Sequence, residues 1–265
     1  MSAGRDAAAS SSPLPGKASP AGASVDPAEI EKFSKIAAEW WDPFGKFKPL
    51  HKFNPVRLGY IRDAACGHFG RDRRAKKPLA GLRLLDVGCG GGLVAEPMAR
   101  LGAQVVGIDP SARNVQVASL HAADMKLGID YRAATVEELV EAKEPPFDIV
   151  LNLEAVEHAA DAASFLKSSA GLVAPGGLMI VATINRTLRA FALAKIGAEY
   201  VLGWLPRGTH DPRKFVKPEE IAAALADAGM KITATTGITY EPLLDLWRIG
   251  EDKSVNYMAA AVRVI

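Results

Sequence analysis

The sequence predicts an α/β protein, a mostly parallel β-sheet with helices on both of its faces. Three observations predict it. Short apolar runs at 82–87, 104–108, 129–133, 147–151 and 177–183 alternate with helix-like stretches, the pattern of strand and helix crossovers in a parallel sheet. Two of the intervening stretches open with helix-start residues, Ser111 in one and Thr135 with Glu138 three positions on in the other, so helices separate the strands. The 265-residue chain is 49% hydrophobic and 23% charged, enough apolar side chain to cover a sheet on both faces.

In chain order, residues 1–24 are almost entirely Ala, Ser, Pro and Gly; such a composition cannot offset the entropy of ordering and predicts a disordered tail. A transit peptide is the rival reading, disfavoured because the tail carries only Arg5 and Lys17 against Asp6. The folded domain is expected over 25–265. Order begins at Asp26, where Asp-Pro-Ala-Glu supplies a cap, a first-turn proline and Glu29. The helix it opens carries Ile30, Phe33, Ala37, Trp40 and Trp41 on one inward stripe. A second helix is expected after Asn54-Pro55, bearing Leu58 and Ile61, so that 25–80 forms an N-terminal helical layer. The basic stretch 71–77 reads as a solvated connector. Beyond Thr183 a lid-like insertion, 184–216, precedes a helix opened by Lys217-Pro218-Glu219-Glu220. The last two strand candidates, 230–236 and 256–264, lack a crossover helix between them and are expected to pair antiparallel at one edge.

Net charge is +2, which offers no large positive field for nucleic acid. Cys66 and Cys89 match neither a zinc spacing nor a secreted disulfide framework, so a reducing compartment is expected. The sequence has no apolar run of about 18 residues and no signal-peptide pattern. A cytoplasmic protein is expected.

The segment LLDVGCGGG, 84–92, comes off a strand and opens a helix carrying Val94 and Met98. Glycines there let backbone approach a ligand closely, beyond the carboxyl ends of the strands where such sheets bind ligands. They fall at 88, 90 and 92 with Leu93 following, which departs from the G-x-G-x-x-G of dinucleotide folds and disfavours a nicotinamide-dependent dehydrogenase. Asp109 ends the next strand, 21 residues after Gly88, near the spacing of about 20 expected for a ribose-binding carboxylate. A nucleoside ligand is the expectation; a tight turn with Asp109 as a helix cap is the blander alternative.

LLDVGCGGG followed by VVGIDP resembles the first two motifs of the class I S-adenosylmethionine-dependent methyltransferases, and FDIVLNLEAVEH and LVAPGGLMIVATINR resemble the later ones. Outside that core, Trp40-Trp41-Asp42, FKPLHKFNPVRLGYI, GAEYVLGWLPRGTHD and VNYM are similar to the ubiquinone biosynthesis O-methyltransferase family. The resemblance implies a Rossmann-like, seven-stranded, mostly parallel sheet with helices on both faces and an antiparallel last strand. It also implies methyl transfer from S-adenosylmethionine to phenolic or catecholic hydroxyls of polyprenylated ubiquinone precursors, at both O-methylation steps of that pathway.

By the same resemblance Gly88 and Gly90 approach the methionine portion of the cofactor, Asp109 holds its ribose, Arg57 contacts its carboxylate, and Leu153 lies against it. A planar guanidinium suits a carboxylate, although a surface arginine and a core leucine are the ordinary readings of Arg57 and Leu153. Glu154, Glu157 and His158 offer two carboxylates and an imidazole, a set that could hold Mg²⁺ and acidify a catechol; related methyltransferases carry Glu-His here without metal. His158 or His210 is the alternative general base, and His210 equally suits a loop-fixing role. The insertion contains Phe191, Tyr200 and Trp204 among charges, which fits a lid, a polyprenyl site or a peripheral membrane contact at the inner face of the membrane, or else a plain core helix. Association with other ubiquinone-biosynthesis enzymes is a further expectation. The alternatives are a class I methyltransferase acting on another small molecule and a non-catalytic nucleotide-binding scaffold.

Overall fold

The structure, a computed structural model, describes residues 40–45, 47–191 and 214–264. The expected tail, the helix opened at Asp26, most of the 184–216 insertion and His210 lie outside the described residues.

Five strands, β1 (Arg83–Val87), β2 (Gln104–Asp109), β3 (Asp130–Ala133), β4 (Phe147–Leu153) and β5 (Val173–Ile184), pair in parallel. Three more, β6 (Met230–Glu241), β7 (Leu246–Gly250) and β8 (Asn256–Arg263), complete a sheet of order β3-β2-β1-β4-β5-β8-β6-β7. The mostly parallel, Rossmann-like architecture and the antiparallel pairing of the last two strand candidates are as expected; the structure adds two details at the far edge. β8 lies between β5 and β6, antiparallel to both. Its physical reason is composition: Tyr257, Met258, Ala259, Ala260 and Ala261 are buried, and a continuous apolar run belongs where both faces are covered. An eighth strand, β7, closes a hairpin on β6. It is five residues long with Leu246 and Ile249 exposed, too short and too solvated to register as a half-buried strand.

Helices sit where caps and apolar stripes put them. Ser111 accepts the Asn114 N–H at 3.3 Å to start the helix Ala112–Asp124, and Thr135 and Glu138 form a capping box at the head of Val136–Glu141. The N-terminal helix α1 (Lys48–His68) begins before Asn54-Pro55, and Pro55 lies inside it. Pro49 provides the first-turn proline, so the helix starts there; it continues through Pro55 because Phe53, Ile61 and Ala65 are buried against the sheet. The stretch 71–77 is exposed throughout.

The core divides by strand alternation. Leu84, Ile149 and Leu151 point to the face covered by α1 and by α2 (Ala95–Arg100); Leu85, Val106 and Val150 point to the face covered by the helices Ala162–Gly171 and Pro218–Asp227. Adjacent residues of one strand thus serve opposite layers, as a period of two requires.

Ile61 is fully buried between α1 and the sheet. Ile61→Ala is expected to lower stability by about 2–5 kcal/mol in urea denaturation; a change under ~1 kcal/mol would mean that this layer adds little to the fold.

Candidate functional site

The chain builds β1, β2 and β3 outward on one side, then returns to place β4 on the other side of β1. At such a reversal the loops after β1 and β4 diverge and leave a crevice at the carboxyl ends of the strands. A pocket with about 780 Å³ of space between its walls, open to solvent, lies there. Gly88, Gly90, Asp109, Glu154 and His158 all line it.

The floor is the turn after β1. Gly88 and Gly90 have φ of +72° and +53°, a region that side chains with a Cβ rarely enter. The N–H groups of Gly88 and Cys89 both donate to the Ile108 carbonyl, at 2.8 and 2.9 Å, folding the turn back on β2. Asp109, at the end of β2, fastens it. One carboxylate oxygen accepts the Gly90 N–H at 3.0 Å; the other accepts the Ser111 N–H at 2.8 Å and the Asn114 side-chain amide at 3.1 Å. Burial raises the Asp109 pKa above the ordinary range while these three donors oppose the rise. A carboxylate has about four acceptor positions, so the group can take a further donor from the pocket it lines.

The opposite wall is the turn after β4. Glu154 adopts φ +53° while its N–H stays on the Ala182 carbonyl at 2.9 Å. That left-handed residue breaks the strand direction and brings Ala155 and His158 to the pocket. The other expected residues lie behind this wall. Leu153 is buried at the end of β4 and is not a lining residue. Arg57 is buried on α1, bonded to the Asn54 side-chain oxygen, stacked 4.6 Å over Phe53, and 3.9 Å from a Glu154 oxygen. Burial lowers its pKa, opposed by Glu154, Asp86 and Glu157. Asp86, on β1, is pushed up to about 7 by burial, opposed chiefly by Arg57.

Glu157 turns inward and accepts the Thr183 hydroxyl at 2.8 Å. Burial first, and then Glu154, hold its carboxyl well above the usual carboxylate range, and the residue does not line the pocket. Glu154 and His158 face the pocket without it. Among the described residues no group of three or more His, Cys, Asp or Glu side chains is arranged to hold a metal ion. The set Glu154, Glu157 and His158 therefore does not fit Mg²⁺ in this arrangement.

Several walls were not anticipated. Ala134, Thr135 and Val136, after β3, line the pocket with Asn114, Phe165 and Trp40. Thr135 carried a usable signal, because a capping residue at the carboxyl end of a parallel strand stands on the ligand edge; Phe165, on a helix in the interior, carried none. Cys89 is buried and its thiol pKa is pushed well up by burial, so it is no nucleophile.

A family model described as a methyltransferase domain matches residues 60–235. Ubiquinone biosynthesis O-methyltransferases from Maricaulis maris and Parvibaculum lavamentivorans are 59% and 58% identical to this chain, over 90% and 91% of it and 93% and 94% of their own lengths. Among solved structures, magnesium protoporphyrin IX methyltransferase from Synechocystis PCC 6803, with bound SAH, aligns with a TM-score of 0.63 at 21% identity, over 89% of this chain and 98% of that one. A SAM-dependent methyltransferase from Thermotoga maritima aligns at a TM-score of 0.56 and 18% identity, over 89% and 99%. The two structures share the fold.

Because the folded pKa of Asp86 lies above its unfolded value, the native state holds that proton more tightly, and ionising the group as pH rises through about 7 costs stability. Asp86→Asn, which mimics the neutral acid, is expected to match wild type at pH 4 and to be more stable by roughly 1–3 kcal/mol at pH 8. Denaturant curves at the two pH values check this; a gap that closes toward pH 8 would contradict it.

Proposed function

The chain belongs to the ubiquinone biosynthesis O-methyltransferase family of S-adenosylmethionine-dependent methyltransferases, and from that premise we propose that its one active site performs both O-methylations of polyprenylated ubiquinone precursors. The observation that carries the reading is the pocket itself: a glycine turn bonded to Asp109 at the carboxyl edge of a parallel sheet. Bound there, S-adenosylmethionine supplies an electrophilic methyl group on a sulfonium.

The chain's residues bind, orient and take a proton. Backbone at Gly88 and Gly90 admits the methionine portion closely, Asp109 accepts the ribose hydroxyls, and the apolar side chains of Val136 and Phe165 suit the flat base. Arg57 fixes Glu154 and adds positive charge behind the site where the cofactor's carboxylate would lie; Leu153 shapes the end of β4 beneath it. A phenol, with pKa near 10, must lose its proton as its oxygen attacks. His158 lines the pocket and is the group assigned to receive that proton. His210, outside the described residues, is the second candidate. Among the described residues no helix is long and apolar enough to cross a membrane.

Purified protein with methyl-labelled cofactor and short-tail forms of 2-polyprenyl-6-hydroxyphenol and 3-demethylubiquinol is expected to label oxygen on both, each substrate competing with the other. Labelling of only one, or of carbon or nitrogen, would refute the proposal. Calorimetry with S-adenosylhomocysteine is expected to show a loss of ~1.5–3 kcal/mol for Asp109→Ala. His158→Ala is expected to keep that affinity and lose roughly 10²–10⁴-fold in kcat. The same loss in His210→Ala with His158→Ala near wild type would reassign the base.

A further inference from the structure

Trp40 lines the pocket, yet it comes from neither the sheet nor its crossovers. It belongs to an irregular segment ahead of α1, and its indole lies flat on the glycine turn. Gly90 and Gly91 are the reason it can. A methyl group on Gly90 would stand 2.6 Å from the far edge of the ring, and one on Gly91 would stand 2.5 Å from Cβ and Cγ of Trp40. Gly91 has no positive φ and does not line the pocket. Neither backbone conformation nor ligand approach therefore demands glycine at 91; the tryptophan does.

The other face of the indole stacks on Phe47, with ring centroids 4.1 Å apart and planes 13° apart. His51 Nε2 donates to the Trp40 carbonyl at 2.9 Å, and the neighbouring Trp41 indole donates to the Gly91 carbonyl at 2.7 Å. Trp41 in turn stacks on His121 at 3.6 Å, and His121 bonds the buried Glu96. The segment is thus strapped across the glycine turn by ring stacking and hydrogen bonds of its own side chains and backbone.

One group in the strap is at odds with this docking. The Trp40 indole N–H is sealed from solvent and has no hydrogen-bond partner among the described residues, a penalty that disappears when the ring swings out to water. We propose that Trp40 is the gate of the cofactor pocket: docked on Gly90 and Gly91 it closes one wall and holds the cofactor in, and its departure, which satisfies the indole N–H, lets the spent cofactor leave. This deepens the methyltransferase reading and rests on it.

The test measures S-adenosylhomocysteine dissociation by stopped-flow displacement for wild type, Trp40→Ala, Trp40→Phe and Gly91→Ala, with melting curves to show that each variant is folded. Trp40→Ala is expected to release the ligand about tenfold faster or more, because wall contacts act mainly on the off-rate. Trp40→Phe keeps the stack and removes the orphan donor, and is expected to release no faster than wild type. Gly91→Ala, whose added methyl meets Trp40 first, is expected to reproduce Trp40→Ala, and the double variant to be no faster than either single one. Wild-type release rates in Trp40→Ala or Gly91→Ala, or effects that add in the double variant, would overturn the gate and leave the cofactor reading intact. No binding of S-adenosylhomocysteine by wild type would overturn the cofactor reading and the gate with it.

Discussion

One buried carboxylate ties the functional edge of this protein together. Asp109 ends β2, accepts the Gly90 N–H from the turn after β1, and accepts two donors from the head of the following helix. Without it the Gly90 end of the turn would lose its bond to β2, leaving only the Gly88 and Cys89 N–H groups on the Ile108 carbonyl to hold the pocket floor. The same group is desolvated, which raises its pKa, and the surrounding donors are what keep an anion tenable there. The atoms that make these structural bonds belong to a residue that also lines the pocket, so their orientation is fixed from within the fold.

Behind the pocket wall a second electrostatic problem is solved differently. Asp86, Glu154 and Glu157 crowd around Arg57, so three acids share one buried cation. Burying that many like charges is costly: burial and the neighbouring Glu154 hold the Glu157 carboxyl well up against the opposing Thr183 hydroxyl, and Asp86 titrates near neutrality. The acidic cluster after β4, suggestive of a metal site as a string of letters, splits in space: Glu154 lines the pocket while Glu157 turns inward to Thr183.

Much of the fold was legible because it obeys short-range rules. Alternating apolar runs, two capping signals and the spacing from Gly88 to Asp109 gave five parallel strands and the ligand edge. What escaped depended on long-range choices. The antiparallel pairing of β6 and β8 was legible, but not that β8, with its buried alanine-rich run, is the inner of the two, nor that β7 pairs on β6. Proline at 55 signals a helix start locally, yet burial of Phe53 and Ile61 carries α1 through it. At the site, the glycines, Asp109, Glu154 and His158 converge on one pocket, whereas Arg57, Leu153 and Glu157 sit behind its wall. Residue type cannot tell which side of a turn a side chain takes. The left-handed Glu154, which decides it here, has no sequence signature.

The account stands or falls on where the nucleoside sits. A crystal structure of the protein grown with S-adenosylhomocysteine tests this most directly. The account predicts the ribose hydroxyls within hydrogen-bond distance of the Asp109 carboxylate, with the Gly90 N–H still on that same group. Density for the nucleoside elsewhere, or an Asp109 carboxylate turned away from both sugar and glycine turn, would contradict it.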